Sequence, residues 1–521
     1  MKNKNNKTHD GKHHALDKLV FYGTVTITGA AVMMVELLGT RIIGPFYGVS
    51  LVVWSSLLSV SLLALSIGYS IGGRCADKGV WLRLPHAVFA SAVLVAIIPL
   101  ISEPVQLMFN GWGLRAGALA SAFVLFTPPL IFLGMAGPFV IRMATERLES
   151  VGSTAGNVYA ISTVGSVVGT LLLGFFLLPI FGTYAILLSV AVVLLCLSLA
   201  LAFYEKNRLD VPVRLVPWLG AASCLCIALL WQFNADSRTT EGYNVVFEQE
   251  THYGWVRVVD HQEKKTRWLM SDASTIGAEH LPSGKGLLGY QSVVRMLPWF
   301  KPGSQNALLI GLGAGHLVAD LGKYGIKTDA IEIDPAVAYA AEAYFNLKPT
   351  GKVIVGDARY QVQQLNDTYD LIIHDCFTGG SEPFHLLSQE MMRELKTKLK
   401  PGGVLAINFV GFTDKDQLKP VQTIAATLDS VFTHRKSYLV SPHAEFSDYV
   451  FMVSDTELDP TRLPNAEATV GWLAELETNI SSAGARPITD DYNPLEFLQI
   501  AKAEYYRNML IDRVGAAILF R

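Results

Sequence analysis

The sequence predicts two domains of different class: a multi-span α-helical membrane domain, followed by an α/β domain with a small β subdomain at its start. Three observations lead to this prediction. The 521-residue chain is 51% hydrophobic and only 17% charged, whereas soluble domains are nearer a quarter charged. Its charges are divided unevenly, with 24 in residues 1–235 and 63 in residues 236–521. Long apolar runs fill the first part, and short strand-like segments alternate with helical ones in the second.

Seven apolar runs are each long enough to cross a hydrocarbon slab of about 30 Å, which takes about 20 helical residues. They cover residues 19–40, 51–73, 84–102, 117–141, 156–180, 183–204 and 215–233. Residues 1–18 form a polar tail, and no signal-peptide cleavage site follows the first run. We therefore expect a transmembrane domain over residues 19–233, embedded in the lipid bilayer of a bacterial-type inner membrane.

The basic residues predict how these spans are oriented. Lysine and arginine concentrate in the tail and in every second loop, which places the tail in the cytoplasm by the positive-inside bias. Seven crossings would then put the C-terminal domain outside the cell membrane, where a nucleotide-type cosubstrate is not expected. Either the run 117–141, which contains Pro128 and Pro129, does not cross, or a further crossing lies between 102 and 117, or the domain faces the periplasm. The supply of such a cosubstrate favours a cytoplasmic position for the C-terminal domain.

The second part of the chain begins with a small β subdomain over residues 243–288, in which short alternating segments are separated by polar turns. Residues 289–521 form the predicted catalytic domain. Its strands are 307–310, 329–333, 352–355, 369–374 and 404–408, and its helices include 335–346 and 388–400. Strands that alternate with helices are typical of a parallel, doubly wound, Rossmann-like sheet.

Ligands of such sheets bind at the carboxyl ends of the strands, and four strand ends carry suitable residues. The glycine loop Gly311-x-Gly313-x-Gly315 follows the first strand and opens the next helix. Glu332 lies 21 residues after Gly311, where an acid commonly holds the hydroxyls of a ribose. Asp357 and Ala358 follow the third strand, where they would face an adenine, and Asp375 follows the fourth. Any one acid would serve as a loop cap, but together they predict an adenosine site.

The loop favours one class of adenosine ligand. Position 316 is histidine rather than the third glycine of Gly-x-Gly-x-x-Gly, and no basic residue is placed for a phosphate. S-adenosyl compounds are therefore favoured over NAD, on a domain of the S-adenosylmethionine-dependent methyltransferase type. Residues 236–521 carry 27 basic and 36 acidic residues, which disfavours nucleic acid and suits a cationic small molecule. The five cysteines form no disulfide or metal-binding pattern.

With these residues the chain resembles the polyamine aminopropyltransferases, the spermidine synthases, and specifically the branch fused to a multi-span membrane domain. In the second part, the resemblance rests on Gly289-Tyr290-Gln291, the glycine loop, Glu332-Ile-Asp334, Gly356-Asp357, Asp375, Leu399 to Gly403 and Thr489 to Pro494. In the first part, it rests on Glu36 to Arg41, Gly44 to Trp54, Gly68 to Arg74 and Asn157 to Ser166.

The resemblance implies a role for each matching residue. Glu332 matches the acid that holds the ribose of decarboxylated S-adenosylmethionine, Asp357 the acid near its adenine, and Gln291 a polar contact to the same donor. Tyr290 matches a residue that lines the polyamine groove. Asp375 matches the acid that takes a proton from the attacking amine, which is protonated near neutral pH and cannot attack until it loses that proton. The reaction requires no metal, because the sulfonium is its own leaving group.

Two departures from the family pattern concern the binding of amines. Ala314 stands where soluble family members carry the acid that holds the aminopropyl ammonium, and Thr378 stands where they carry a second acid. Each lost charge-assisted contact is worth about 1.5–3 kcal/mol. Replacement acids are Asp490, Asp491 or Glu382, although the Thr-Asp-Asp segment would equally cap the following helix.

The sequence therefore predicts a membrane-anchored aminopropyltransferase that makes spermidine or a similar polyamine from decarboxylated S-adenosylmethionine, with Asp375 as the base. Two alternatives stay open. One is an S-adenosylmethionine-dependent methyltransferase on the same fold, which the missing acid at position 314 permits. The other is a membrane sensor or transporter that binds a polyamine or nucleoside without turnover. The acceptor amine, the role of the membrane domain and the choice between a monomer and a homodimer are not fixed by the sequence.

Overall fold

A computed structural model describes residues 4–48, 50–78, 82–145, 148–178, 180–209, 220, 242–377, 382–459, 467–515 and 519–520 of the chain. By the density of contacts it divides into two compact units. The first is essentially Met1–Arg238 and the second Thr239–Leu519.

The first unit is entirely helical over its described residues. Its helices are α1 (Lys4–Tyr47), α2 (Leu51–Lys78), α3 (Leu84–Met108), α4 (Gly113–Gly134), α5 (Ala136–Ala144), α6 (Val151–Leu172) and α7 (Thr183–Leu209). They provide six stretches that are long and apolar enough to cross a membrane, because α4 and α5 form one stretch. These stretches match the first six predicted spans, whereas the seventh, 215–233, lies outside the described residues apart from Gly220.

Two of the options for the membrane topology find no support in this unit. The stretch from α4 into α5 remains helical through Pro128 and Pro129, so the run 117–141 is not broken there. Between α3 and α4 lie only Phe109 and the short turn Asn110–Trp112, and four residues are far too few for a further crossing.

Small residues allow these helices to pack closely. A Cβ atom at Gly165 of α6 would collide with the backbone oxygen of Thr26 in α1, and one at Gly169 would lie 2.8 Å from Cα of Ala30. Close approach at glycine is the usual means by which helices associate in membranes, where no hydrophobic driving force acts between them. Gly165 and Gly169 therefore let α6 pack closely against α1.

The second unit starts with a five-stranded antiparallel sheet whose strands follow chain order. The strands are β1 (Tyr243–Glu250), β2 (Trp255–His261), β3 (Thr266–Ser271), β4 (Ser274–His280) and β5 (Lys285–Gly286). Strand β2 is buried at six of its seven positions, because this sheet packs on the helix Pro335–Tyr344 through a shared apolar cluster that includes Val256, Val258, Ala336 and Val337.

A seven-stranded sheet follows, in the order β11-β12-β10-β9-β6-β7-β8. Its strands are β6 (Asn306–Ile310), β7 (Lys327–Glu332), β8 (Val353–Val355), β9 (Tyr369–His374), β10 (Leu399–Phe412), β11 (His434–Leu439) and β12 (Phe446–Ser454). The chain order reverses between β6 and β9, which creates the crevice where ligands of α/β sheets bind. The Rossmann-like fold class is thereby confirmed.

The sheet differs from the fully parallel one that the sequence predicts, because β12 runs antiparallel to both β10 and β11. Only residues 440–445 connect β11 to β12, and so short a connection permits antiparallel pairing alone. Helices cover both faces: α8 (Gln291–Val294), α9 (Leu297–Phe300), α10 (His316–Gly322), α11 (Pro335–Tyr344), α12 (Ala358–Gln364), α13 (Gln389–Thr397), α14 (Lys419–Asp429), α15 (Glu467–Leu476), α16 (Leu495–Leu498) and α17 (Ile500–Val514).

Candidate active site

The glycine loop and Asp375 meet at the reversal point of the sheet. Ile310, the last residue of β6, pairs with His374, the last residue of β9, and the backbone N–H of Asp375 donates to the Ile310 carbonyl at 2.8 Å. Gly311 has a φ of +90°, and a Cβ atom there would collide with the carbonyl oxygen of Asp375. Only glycine combines this backbone conformation with this approach.

Glu332, at the end of β7, is tied to the glycine loop. One of its carboxylate oxygens accepts a hydrogen bond from the N–H of Leu312 and the other from the N–H of Asp334, both at 3.0 Å. Burial raises the pKa of Glu332, because removal from water disfavours the charged form. The acid therefore lies beside the loop at the position where an adenosine ribose would bind.

Asp357 serves as the N-cap of α12, because its Oδ1 accepts a hydrogen bond from the N–H of Tyr360 at 2.9 Å. The residue remains partly exposed, and Ala358 behind it is buried. Its second oxygen lies 3.7 Å from Nε2 of His385. Asp357 thus acts as a cap and also keeps an oxygen free of any backbone hydrogen bond in the described part of the chain.

The thiol of Cys376 shows that the strand ends converge on one site. Burial raises its pKa well above the usual value, and the negative charges of Glu332, Asp375 and Asp357 raise it further. Three carboxylates from three different strand ends therefore act on a single thiol group. The same raised pKa makes Cys376 a poor nucleophile.

Asp375 is held by two side chains. The hydroxyl of Tyr290 donates to its Oδ2 at 2.5 Å, and the amide of Asn408, on β10, donates to its Oδ1 at 3.1 Å. Burial raises the pKa of Asp375 to about 6, and the nearby charge of Glu382 adds to the shift. A carboxylate with this pKa is ionised at neutral pH and is a stronger base than an exposed aspartate.

Gln291, the first residue of α8, directly follows Tyr290 and is buried. Its side-chain oxygen occupies the space above Gly286, next to the ring of His316. It therefore lies beside the start of α10, directly after the glycine loop.

The residues predicted to concern amine binding lie in different surroundings. Ala314 is buried in the apolar cluster beneath the small sheet, and a Cβ atom added at Gly277 would lie 2.5 Å from the Cβ atom of Ala314. The side chain of Ala314 therefore packs against the small sheet and does not line an open site. Thr378 lies outside the described residues. Asp490 forms a two-pronged ion pair with Arg359, at 2.8 and 2.5 Å, and Asp491 is exposed.

Sequence reasoning missed three residues near Asp375. Asn408 donates a hydrogen bond to it. Burial and the Asp375 charge raise the pKa of Asp448, on β12, to about 7. Lys502, on α17, is buried against Glu382. No local signal marks these residues, because Lys502 lies on a helix of mixed polar and apolar residues and the other two depend on the pairing of distant strands. Among the described residues, no group of three or more potential metal ligands is present.

The profile of the spermine/spermidine synthase domain matches residues 288–461. A polyamine aminopropyltransferase of Vibrio vulnificus is 27% identical over 219 residues, which cover 38% of this chain and 72% of that protein. An N-terminal histidine N-methyltransferase of Emericella nidulans is 34% identical over 194 residues, which cover 33% of this chain and 35% of that protein. Thus the matched region spans only about a third of the methyltransferase.

Among solved structures, a probable spermidine synthase from Corynebacterium glutamicum aligns with 47% of this chain and 97% of its own, at 18% identity and a TM-score of 0.40. The matched profile extends from just before Tyr290 to beyond β12, so it contains every strand of the seven-stranded sheet. Residues 288–461 therefore match the spermine/spermidine synthase domain.

Proposed function

We propose that this chain is a membrane-anchored aminopropyltransferase that transfers the aminopropyl group of decarboxylated S-adenosylmethionine to a polyamine such as putrescine and releases 5′-methylthioadenosine. One observation carries the proposal: the glycine loop, Glu332 and Asp357 converge at the thiol of Cys376 beside the half-buried base Asp375. The domain family and the aminopropyltransferase relative support the same chemistry.

The residues divide the work between the two substrates. Glu332 and Asp357 would hold the nucleoside of the donor, with Gln291 beside them, and the open backbone of Gly311 lets the sulfonium approach Asp375. Asp375 accepts a proton from the acceptor ammonium. The nitrogen lone pair then forms the new N–C bond while the C–S bond breaks, and a neutral thioether leaves. Holding amine and sulfonium in line supplies much of the rate.

A second candidate, methyl transfer from S-adenosylmethionine, is favoured by one specific observation. Ala314 replaces the family acid and packs in an apolar cluster, so nothing at that position repels the carboxylate that S-adenosylmethionine retains. The fungal histidine N-methyltransferase relative is consistent with this candidate. Both reactions use the same sulfonium chemistry and the same base.

The nucleoside product separates the two candidates. The full-length protein in detergent is given putrescine with each donor in turn, and the products are identified by mass spectrometry. Aminopropyl transfer yields 5′-methylthioadenosine and spermidine, whereas methyl transfer yields S-adenosylhomocysteine. An N-terminal histidine peptide serves as a second acceptor for the methyl donor. If neither donor is consumed with either acceptor, the transferase proposal is wrong.

The six apolar helical stretches support membrane anchoring, and the membrane that we propose is a bacterial-type inner membrane. The nucleoside donor favours the cytoplasmic side for the second unit, whereas seven crossings after a cytoplasmic tail would place it in the periplasm. A phosphatase fusion at the C-terminus should be inactive and a fluorescent protein fusion bright. The reverse pattern would place the domain in the periplasm.

A further inference from the structure

The register of the sheet brings a second acid to the base. In the antiparallel pair of β10 and β12, Asn408 lies opposite Val450, and Val410 lies opposite Asp448. Residues two apart on a strand, and their cross-strand partners, share one face of the sheet. Asp448 is therefore on the face that carries Asn408, whose amide reaches Asp375.

The Asp375 charge acts on Asp448 through this arrangement. Burial, together with the charges of Asp375 and Glu382, raises the pKa of Asp448 to about 7, and a hydrogen bond from the Asn408 side chain opposes the shift. The Asp448 charge also acts on Tyr290, just before α8, and on Tyr506 and Lys502 of α17. Both Asp448 and Asp375 keep part of their surface open to solvent.

The buried lysine does not neutralise this pair. The ammonium of Lys502 bonds directly to Glu382 and to the carbonyl of Val410, and it lies 4.6 Å from the ring centre of Phe409. Gln499 also donates to Glu382. Within the part of the chain that the structure describes, Asp375 and Asp448 are left without a cation bonded to either.

A buried hydrogen-bond acceptor completes the cluster. The Asn408 side chain is only 6% exposed, and its Oδ1 has no hydrogen-bond partner among the described residues. An unpaired buried polar atom is unfavourable, so a ligand that donates a hydrogen bond there would be favoured. A primary ammonium has three N–H donors and one positive charge, which matches two carboxylates and one amide oxygen.

We propose that Asp448, together with Asn408 and Asp375, forms the subsite that binds the reacting ammonium group of the acceptor. This inference rests on the proposed function, but it holds for either donor because the acceptor is an amine in both reactions. The ammonium binds between the two acids, gives its proton to Asp375 and attacks the donor while Asp448 keeps it in place.

The test uses Asp448→Asn in the full-length protein, with Glu445→Gln as the control. Glu445 is an exposed acid just before β12, so its substitution changes the net charge equally without touching the subsite. We expect Asp448→Asn to raise the acceptor KM about 10- to 100-fold, as the loss of one charge-assisted hydrogen bond predicts. The donor KM should stay within about twofold, and Glu445→Gln should leave both constants unchanged. Asp448→Glu, which restores the charge, should recover part of the affinity.

Calorimetric titration with putrescine, in the presence of the nucleoside product, separates this inference from the proposed function. If no donor is turned over but putrescine binds to the wild type and not to Asp448→Asn, the subsite stands and the transferase proposal fails. If the wild type turns over and Asp448→Asn has an unchanged acceptor KM, the subsite is wrong. Putrescine binding that is equal in both proteins would also overturn it.

Discussion

The two units of the chain expose large aromatic side chains to very different extents. In the helical unit, Phe175 and Phe176 expose 72% and 61% of their surface, whereas Phe409 and Phe451 in the α/β unit are fully buried. Large exposed aromatic side chains are stable when lipid surrounds them and costly in water. The contrast is what the proposed membrane anchoring of the helical unit predicts.

Polar groups show the same difference. In the helical unit, the hydroxyls of Thr24 and Thr28 donate hydrogen bonds to carbonyls of their own helix, four residues earlier in the chain. In the α/β unit, Glu332 and Asp375 accept hydrogen bonds from a loop and from distant side chains. The two acids are therefore held by contacts that depend on the tertiary fold, whereas these two threonines bond within their own helix.

The largest effect is expected from a change in the glycine loop. Gly311→Ala introduces a Cβ atom that collides with the carbonyl oxygen of Asp375, in a backbone conformation with φ of +90°. We expect 5′-methylthioadenosine affinity, measured by calorimetry, to fall at least about 100-fold, because overpacking and left-handed strain each cost about 1–3 kcal/mol.

The control for that change is Gly303→Ala. Gly303 has a similar φ of +79° but no atom within 4 Å of an added Cβ. It should lose thermal stability from strain alone and keep nucleoside affinity. Equal losses of affinity in both variants would mean that strain, rather than the contact with Asp375, governs the site.

The rate should depend on pH through Asp375. Its pKa of about 6 means that the base is largely ionised at pH 7 and largely protonated at pH 5. The acceptor amine stays protonated over this range, so kcat/KM for the acceptor should fall about tenfold or more as pH falls from 7 to 5. A flat profile over this range would exclude Asp375 as the base.

Helix packing in the first unit can be changed without touching the chemistry. Gly165→Ala would collide with the backbone of Thr26, whereas Gly156→Ala, on the same helix, meets nothing within 4 Å. Thermal unfolding in detergent should show that the first variant is less stable than the wild type by about 1–3 kcal/mol. The second variant should be as stable as the wild type or slightly more stable. Equal melting temperatures would show that α1 and α6 do not pack as described.

The smallest effect is on stability against pH. The pKa of Asp448 is raised in the folded protein, so its contribution to stability is present below its ordinary pKa and is lost as pH rises towards 7. Asp448→Asn should therefore melt at a slightly higher temperature than the wild type at pH 8 and at the same temperature at pH 4. A lower melting temperature at pH 8 would contradict the mutual repulsion of the acids.

The sequence predicted features that are local in the chain. The strand and helix alternation, the glycine loop and the acids at strand ends each depend on a few consecutive residues, and the structure has all of them. Helix 388–400 was predicted too long, because α13 ends at Thr397 and β10 already begins at Leu399. Propensity alone does not distinguish a helix end from the strand that pairs beside it.

Long-range features could not be predicted in this way. Asp448 reaches the site only through its pairing opposite Val410, and Asp490, a predicted amine ligand, is instead bonded to Arg359, 131 residues away. Ala314 is a departure visible in the sequence, but its contact with Gly277 depends on how the small sheet packs.

Asp375→Asn tests the central claim most directly, because the variant keeps the shape of the side chain and removes only its basicity. We expect 5′-methylthioadenosine to bind within about threefold of the wild type, while the single-turnover rate with putrescine falls about 10²- to 10⁴-fold. An unchanged rate would contradict the assignment of Asp375 as the base. If nucleoside binding and the single-turnover rate were both lost, this carboxylate would hold the site together instead of accepting the proton.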